Sequence, residues 1–463
     1  MPSFPRFRLP APARLLAAGA VLTLSAVSMS AQSIPKLKVE RYVLANGLQV
    51  ILHENHATPI VAVNTWFHVG SGDEQMGRTG FAHLFEHIMF MGSQHVPTGD
   101  FDQVLESAGA TNNGSTTEDR TNYYETLPSN ALPLALWLDS DRMGFLLPAL
   151  DQAKLDLQRD VVKNERRQRI DNVPYGRAEE TILDALYPKG HPYSWPVIGS
   201  MADLSAATLD DVKGFFRKYY APNNATLTIV GDFNTDSVKA LVRQYFGDIP
   251  RGPELPARPK PAPVVLTGDV YKVLEDKVQL PQVTYTWPTV RAFDKDDAAL
   301  TVLGSILASG KNSRLYKTLV YDKQVAQDVQ AYQYGSRLAG FFQIVVTPQP
   351  GQSPAAIDAL VKAELARLER DGITPRELAR VQNTTRASYL DQLSSVEHVA
   401  DLLNQYNYFV GTPDYVQQDV ARFDAVTRAD VQRVARGYLE KPKVVLTVVP
   451  EGQRGQALTG GAR

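Results

Sequence analysis

Two segments of this chain follow one pattern. Segment 208–230 reads TLDDVKGFFRKYYAPNNATLTIV, and segment 427–449 reads TRADVQRVARGYLEKPKVVLTVV. At an offset of 219 residues, Thr208, Asp211, Val212, Arg217, Tyr219, Leu227, Thr228 and Val230 recur as Thr427, Asp430, Val431, Arg436, Tyr438, Leu446, Thr447 and Val449. Each copy reads as a capped helix, a turn and a buried strand. Self-similarity at a fixed offset is an architectural signal. Between the copies, Pro250, Pro253, Pro256, Pro259, Pro261 and Pro263 fall in one short stretch, which reads as a stiff, extended linker. The expected plan is two related halves, 32–249 and 266–463, joined by a linker at 250–265.

The first thirty-one residues stand outside this plan. Arg6, Arg8 and Arg14 form a positive start without an acid, 15–27 is an apolar run, and small residues follow at Ala26, Ser28, Ser30 and Ala31. This is the pattern of a cleavable secretory signal, and the apolar run is short for a membrane span. Removing three arginines takes the formal charge from −2 to −5. The expected location is therefore periplasmic or secreted, with no membrane partner after cleavage. There is no basic excess to suggest a nucleic-acid partner. Charged residues at 21% and apolar residues at 44% exclude a disordered chain.

Within the first half, a hairpin is expected at 42–44 and 48–52 around Asn46-Gly47. Val61, Val63, Thr65, Phe67 and Val69 alternate as a half-buried strand. A helix is expected at 80–91, with Thr79 as N-cap and Gly92 as its stop. Strands alternate with helices through the rest of the half. The fold class this implies is α+β, a layered sheet-and-helix unit built twice.

The helix at 80–91 reads GFAHLFEHIMFM. His83 and His87 are four residues apart, so both imidazoles project from one face, as two ligands of one tetrahedral zinc must. Glu86 lies near the same face. The remaining positions are mostly apolar, which buries the helix. Two imidazoles and a carboxylate buried without partners cost several kcal/mol, and a metal relieves that cost. His-x-x-Glu-His is the inverted zinc-hydrolase spacing. With no cysteine in the chain, a third ligand must be His, Asp or Glu. His53, His56, His68 and His95 are candidates, as is a distant glutamate such as Glu165 in the helical stretch 154–170. Taken alone, Glu165 among so many arginines reads as a surface ion-pair residue in preference to a ligand.

Segment 66–93, WFHVGSGDEQMGRTGFAHLFEHIMFMGS, resembles the zinc-motif region of the pitrilysin/insulinase metallopeptidases, in particular the bacterial, mitochondrial-processing-peptidase-like branch. GATNNGSTTEDRTNYYETLP, VVKNERRQR, HPYSWPVIGS and YYAPNNATLTIVGDF extend the resemblance along the chain. It implies two homologous halves enclosing a chamber. It also implies one zinc ion held by His83, His87 and Glu165, with Glu86 as general base and a peptide substrate. Asn113, Gly114, Ser115 and Thr116 resemble the family's substrate-binding edge strand, although Asn-Gly taken alone reads as a turn between helix and strand.

Two departures from the family pattern matter. Gln158 stands where many catalytic members have a further glutamate, seven residues before the third ligand; it can support the site but brings no charge. Single-chain members usually place an Arg and a Tyr shortly after a Ser-Arg-Leu-aromatic segment, here Ser313 to Tyr316. The corresponding positions fall on Val320 and Gln327, and nearby Arg314 and Tyr321 have the wrong spacing. The chain therefore resembles the zinc-bearing partner of a two-subunit enzyme. The expected assembly is a hetero-oligomer, in which a homologous subunit supplies the Arg/Tyr pair, or a homodimer. The alternative function is a non-catalytic assembly homologue that binds zinc or a partner without hydrolysis.

Overall fold

The structure, a computed structural model, describes residues 34–255, 257–258 and 261–460. The expected signal segment lies outside them. In the first half the elements are β1 (Glu40–Val43), β2 (Gln49–Glu54), β3 (Ile60–Phe67), α1 (Phe81–Ile88), α2 (Asp100–Ser107), β4 (Thr111–Thr116), β5 (Thr121–Pro128), α3 (Leu132–Ala149), α4 (Gln152–Arg166), α5 (Ala178–Leu186), α6 (Met201–Ala206), α7 (Leu209–Tyr219), β6 (Ala225–Gly231) and α8 (Thr235–Phe246). In the second they are β7 (Val270–Asp276), β8 (Gln282–Thr289), α9 (Asp297–Ala308), β9 (Ala326–Gly335), β10 (Gly340–Pro348), α10 (Pro354–Asp371), α11 (Pro375–Gln392), α12 (Val396–Phe409), α13 (Val416–Asp424), α14 (Arg428–Val434) and β11 (Val444–Pro450).

The strand orders are β1-β2-β6-β3-β5-β4 and β7-β11-β8-β10-β9. With β1 set aside, the two sheets are the same design. In each, the last strand inserts beside the first in parallel and is antiparallel to its other neighbour. The repeated segments are α7–β6 and α14–β11. Both helices open with a reciprocal Thr–Asp cap, Thr208 with Asp211 and Thr427 with Asp430. Both strands are buried along their whole length.

That burial explains their continuous apolar character: each is covered on both faces. On one face lie helices of the same half; on the other lies a helix donated by the opposite half. Helix α12 crosses β3 and β6, while α5 crosses β7 and β11. Beneath α12, Thr228 donates to Asn404 at 2.8 Å, and Asn404 donates to the Asn64 carbonyl at 3.0 Å. The two homologous hairpin turns also meet. Asp119 accepts from Tyr193 at 2.5 Å and from the Arg337 amide at 2.7 Å, and Glu118 accepts from Tyr334 at 2.8 Å. A cavity of about 420 Å³ remains between α5 and the face of β8, β10 and β9.

The local expectations need adjustment in places. The hairpin forms, but Asn46 also donates to the Phe246 and Ile249 carbonyls, so it fixes the turn to α8. The site helix is shorter than 80–91. Thr79 does not cap it: its hydroxyl donates to Asp203, and Gly80, at φ +90°, takes the N-cap position. The described part of 250–265 has no regular secondary structure, yet it docks: Leu255 packs on the first core and Arg258 pairs with Asp73 at 3.0 Å. Among the described residues no helix is long and apolar enough to cross a membrane.

Candidate metal centre and active site

Helix α1 is held by its first turn. Both oxygens of the buried Glu74 accept helix amides, Gly80 at 2.9 Å and Ala82 at 2.8 Å. A carboxylate here satisfies orphan N–H groups and complements the helix dipole. Burial opposes that charge and, outweighing the two amide bonds, pushes the carboxyl up to about 8. Gly80 also permits close packing, since a Cβ there would sit 2.7 Å from the Ile198 carbonyl. Farther along, the buried Tyr123 hydroxyl donates to the Phe85 carbonyl at 3.0 Å.

The clamp aims His83 and His87 at α4. Glu165 Oε2 lies 3.1 Å from His87 Nε2 and 3.7 Å from His83 Nε2. The three ligand atoms lie within 4.8 Å of one another, and no other such group of three occurs among the described residues. Glu165 Oε2 is buried and has no hydrogen-bond partner of acceptable geometry. Four ligands at about 2.0–2.1 Å around zinc stand about 3.3 Å apart, and the two Glu165–histidine separations lie on either side of that value. The protonation states fit as well. Burial, then the neighbouring His87, pushes His83 down to about 4, while the close His87 ring holds Glu165 below its ordinary range. Neutral imidazole and ionised carboxylate are the ligating forms.

Glu86 stands beside this group but is not part of it. Its Oε2 accepts the Thr116 hydroxyl at 2.6 Å, from strand β4. Burial pushes its carboxyl up, opposed by that bond and by His87. Gly114 makes the room: a Cβ there would sit 3.0 Å from Glu86 Cγ and 3.3 Å from Phe90. Asn113 and Gly114 pair with Tyr124 and Tyr123, so Asn-Gly is part of a strand and not a turn. Strand β4 pairs only with β5, leaving its other edge open beside α1. Thr117 donates to Arg120 across the turn, so Ser115 and Asn113 direct their backbone groups to β5 and Gly114 and Thr116 direct theirs outward. The outward Gly114 amide is covered by the Asn113 side chain at 2.8 Å.

The other histidines go elsewhere. His53 bonds the Lys38 carbonyl, His56 lies between Glu54 and Asp232, His68 bonds Thr226, and His95 bonds Asp141. Gln158 donates to Met91 Sδ and makes no bond to the three clustered residues. Arg314 is committed to Glu377 at 2.6 Å and to the Gly372 carbonyl, and Tyr321 is exposed. Two residues that sequence reasoning missed support the site. Arg169 holds Glu165 Oε1 at 2.6 Å, an i,i+4 pair that was legible in principle. Glu74 acts through a loop and left no local signal.

A doubled sheet-and-helix fold, with an inverted histidine-glutamate motif on a helix beside an open edge strand, defines a class of peptidase. The profile described as Insulinase (Peptidase family M16) matches residues 49–194, and that described as Peptidase M16 inactive domain matches 206–385. The chain belongs to the M16, or pitrilysin/insulinase, family. It is 32% identical to "Zinc protease PqqE" of Helicobacter pylori, over 92% of this chain and 96% of that one. An uncharacterized zinc protease of Streptomyces coelicolor is 24% identical, over 89% and 90%. Among solved structures, a protease from Helicobacter pylori superposes with a TM-score of 0.85 at 28% identity, over 90% and 100%. The periplasmic protease PqqL from Escherichia coli shares the fold (TM-score 0.76, 19% identity), with 92% of this chain covering 49% of that longer one.

Proposed function

We propose that the chain is an exported zinc-dependent endopeptidase that hydrolyses peptides or unfolded polypeptides together with a homologous subunit. The observation that carries this reading is Glu165 Oε2, buried without a hydrogen-bond partner and facing both imidazoles, with Glu86 alongside. His83, His87 and Glu165 would hold one zinc ion. When bound, zinc supplies Lewis acidity toward the scissile carbonyl and toward water. Asn113 to Thr116 would take an extended peptide as an added strand, through the outward groups of Thr116 and the Gly114 carbonyl. Glu86 would accept a proton from the attacking water and pass it to the leaving amine. Burial pushes that carboxyl above its ordinary range, so it takes up a proton more readily than a surface glutamate does. Thr116 ties that carboxylate to the strand that receives the substrate.

A partner is supported by what the second half lacks. Val320 and Gln327 offer no cation or phenol, and Arg314 is spent on Glu377. The missing groups would come from a homologous subunit, which would also complete the chamber. PqqL is about twice as long as the matching region, which is in keeping with a second piece beside one like this chain. Export rests on the charged and apolar start of the sequence. The deciding experiment is Glu86→Gln in the mature chain with its partner co-expressed. Zinc content stays at one per chain while peptide cleavage falls by about 10²–10⁴-fold, the range for a lost general base. Undiminished cleavage removes Glu86 from the mechanism.

A further inference from the structure

Strand β4 has two faces, and the candidate metal centre lies on one of them. Side chains alternate along a strand. Gly114 and Thr116 face α1 and Glu86. Ser115 therefore faces the other way, where its hydroxyl donates to its cross-strand neighbour Asn122 at 2.7 Å, and Asn122 donates to Asn64 at 3.1 Å. Trp66 and Arg120 belong to this second face. The Trp66 indole donates to Asp401 of α12 at 3.2 Å, and the Arg120 guanidinium carbon lies 5.1 Å from the Trp66 ring centroid.

Arg120 reaches from the β4–β5 turn toward the open edge. Its Nη1 donates to the Ser115 carbonyl at 2.8 Å and to the Ser115 hydroxyl at 2.6 Å. Nε and Nη2 have no hydrogen bond and no carboxylate within ion-pair reach among the described residues, and both are open to solvent. The nearby acids are engaged elsewhere. Asp401 accepts from Trp66 and, at 3.4 Å, from Asn64; Glu118 accepts from Tyr334; Glu86 lies on the opposite face with Thr116. Burial holds the Arg120 guanidinium below its ordinary range, and Asp401 and Glu86 oppose that only in part. Other partly buried arginines are better matched: Arg166 pairs with Glu180, Arg314 with Glu377 and Arg422 with Asp419.

We propose that Arg120 is a specificity-determining residue, which pairs with an acidic side chain, Glu or Asp, of the bound peptide. The inference rests on β4 receiving the peptide as an added strand. Such a strand lies about 4.8 Å from β4. Its side chains on the second face become cross-strand neighbours of Ser115, where the guanidinium already sits. A guanidinium presents its N–H groups in a planar fork, and a carboxylate accepts two of them side by side. Nε and Nη2 form one edge of that fork, the edge left free. A peptide terminus continues along the strand in the plane of the sheet, so the carboxylate that turns to this face belongs to a side chain.

The test uses peptides amidated at the C-terminus, in which one Glu is walked along an otherwise neutral sequence and compared with Gln at the same place. Cleavage is measured on the zinc-loaded mature chain with its partner co-expressed. Binding is measured on the zinc-loaded Glu86→Gln variant, so that it is read even where no hydrolysis occurs. At one position Glu is expected to lower KM and Kd about tenfold relative to Gln, the scale of a hydrogen bond to a charged group. Arg120→Gln removes that difference, and Arg120→Glu reverses it in favour of Lys, with zinc content unchanged in both. Each preference is a ratio within one preparation, so a variant that folds in part still reports it. Equal binding of Glu and Gln at every position overturns the proposal, and so does a Glu preference that persists in Arg120→Gln. A wild-type chain that cleaves nothing, while the Glu preference in binding holds, removes the hydrolytic reading and supports this one.

Discussion

Helices α1 and α9 occupy equivalent places in the two sheets, each leading from the third strand of its half in space toward the open edge. They solve the same packing problem differently. In the second half, Gly304 lies on the helix, where a Cβ would meet the Ala331 carbonyl of β9 at 2.9 Å. The glycine lets helix and strand backbones close up, and α9 is an apolar packing element with eight of its twelve residues buried. In the first half the glycine is on the strand. Gly114 leaves space for the Glu86 side chain, so α1 keeps a polar group between itself and β4. One fold tolerates both arrangements because the sheet needs an apolar cover and is indifferent to what the rest of the helix carries. The Glu86 side chain, the candidate general base, occupies the room that one missing side chain leaves.

This contrast can be broken from either side. Gly114→Val should displace the Glu86 carboxylate and cut peptide cleavage about 10²-fold, the scale of a 1 Å misplacement, with zinc still bound. Cleavage rates and metal analysis on one preparation check it, and full activity would show that the room at Gly114 is not needed. Gly304→Val should do the opposite. Overpacking costs about 1–3 kcal/mol of stability, seen in denaturant unfolding, while cleavage per folded molecule is unchanged.

A smaller effect sharpens the comparison further. The two halves use their Arg–Glu pairs for different purposes: Arg169 holds the candidate ligand Glu165, whereas Arg314 holds Glu377 at the N-terminus of α11. Burial pushes Glu377 up, but the Arg314 bond and the Thr374 amide and hydroxyl outweigh it and hold the carboxyl at about 2. The folded value is below the unfolded one, so the stabilisation is fully present above about pH 4.5 and is lost as pH falls toward 2. Glu377→Gln should flatten stability against pH in that window and cost about 1–2 kcal/mol at neutral pH, discounted for partial exposure, with zinc binding unaffected. An unchanged slope would show that the pair contributes nothing.

Parts of this molecule were legible in the chain because their causes are local. The caps at Thr208 and Thr427 and the apolar runs of β6 and β11 depend on neighbours a few residues away, and the repeat follows from them. His83, Glu86 and His87 share a helix face because of the helical period alone. Other features depend on residues far away in sequence. Thr79 has the right chemistry for an N-cap, but Asp203 takes its hydroxyl and Glu74 takes over the helix amides. The donated helices α5 and α12 look like ordinary amphipathic segments, and nothing in their own sequence says which sheet they cover.

The sequence by itself determined that the chain is built twice, that one half carries an inverted metal motif, and that without cysteine the ligands must be nitrogen and oxygen. Periodicity and residue chemistry are sufficient for those statements. Only the tertiary structure decided which of the distant acids and histidines joins His83 and His87, and that Thr116 reaches Glu86. Those facts depend on where separate segments meet in space. Burial then decides what each meeting means, because a polar group that water would satisfy on the surface must find its partner inside the protein.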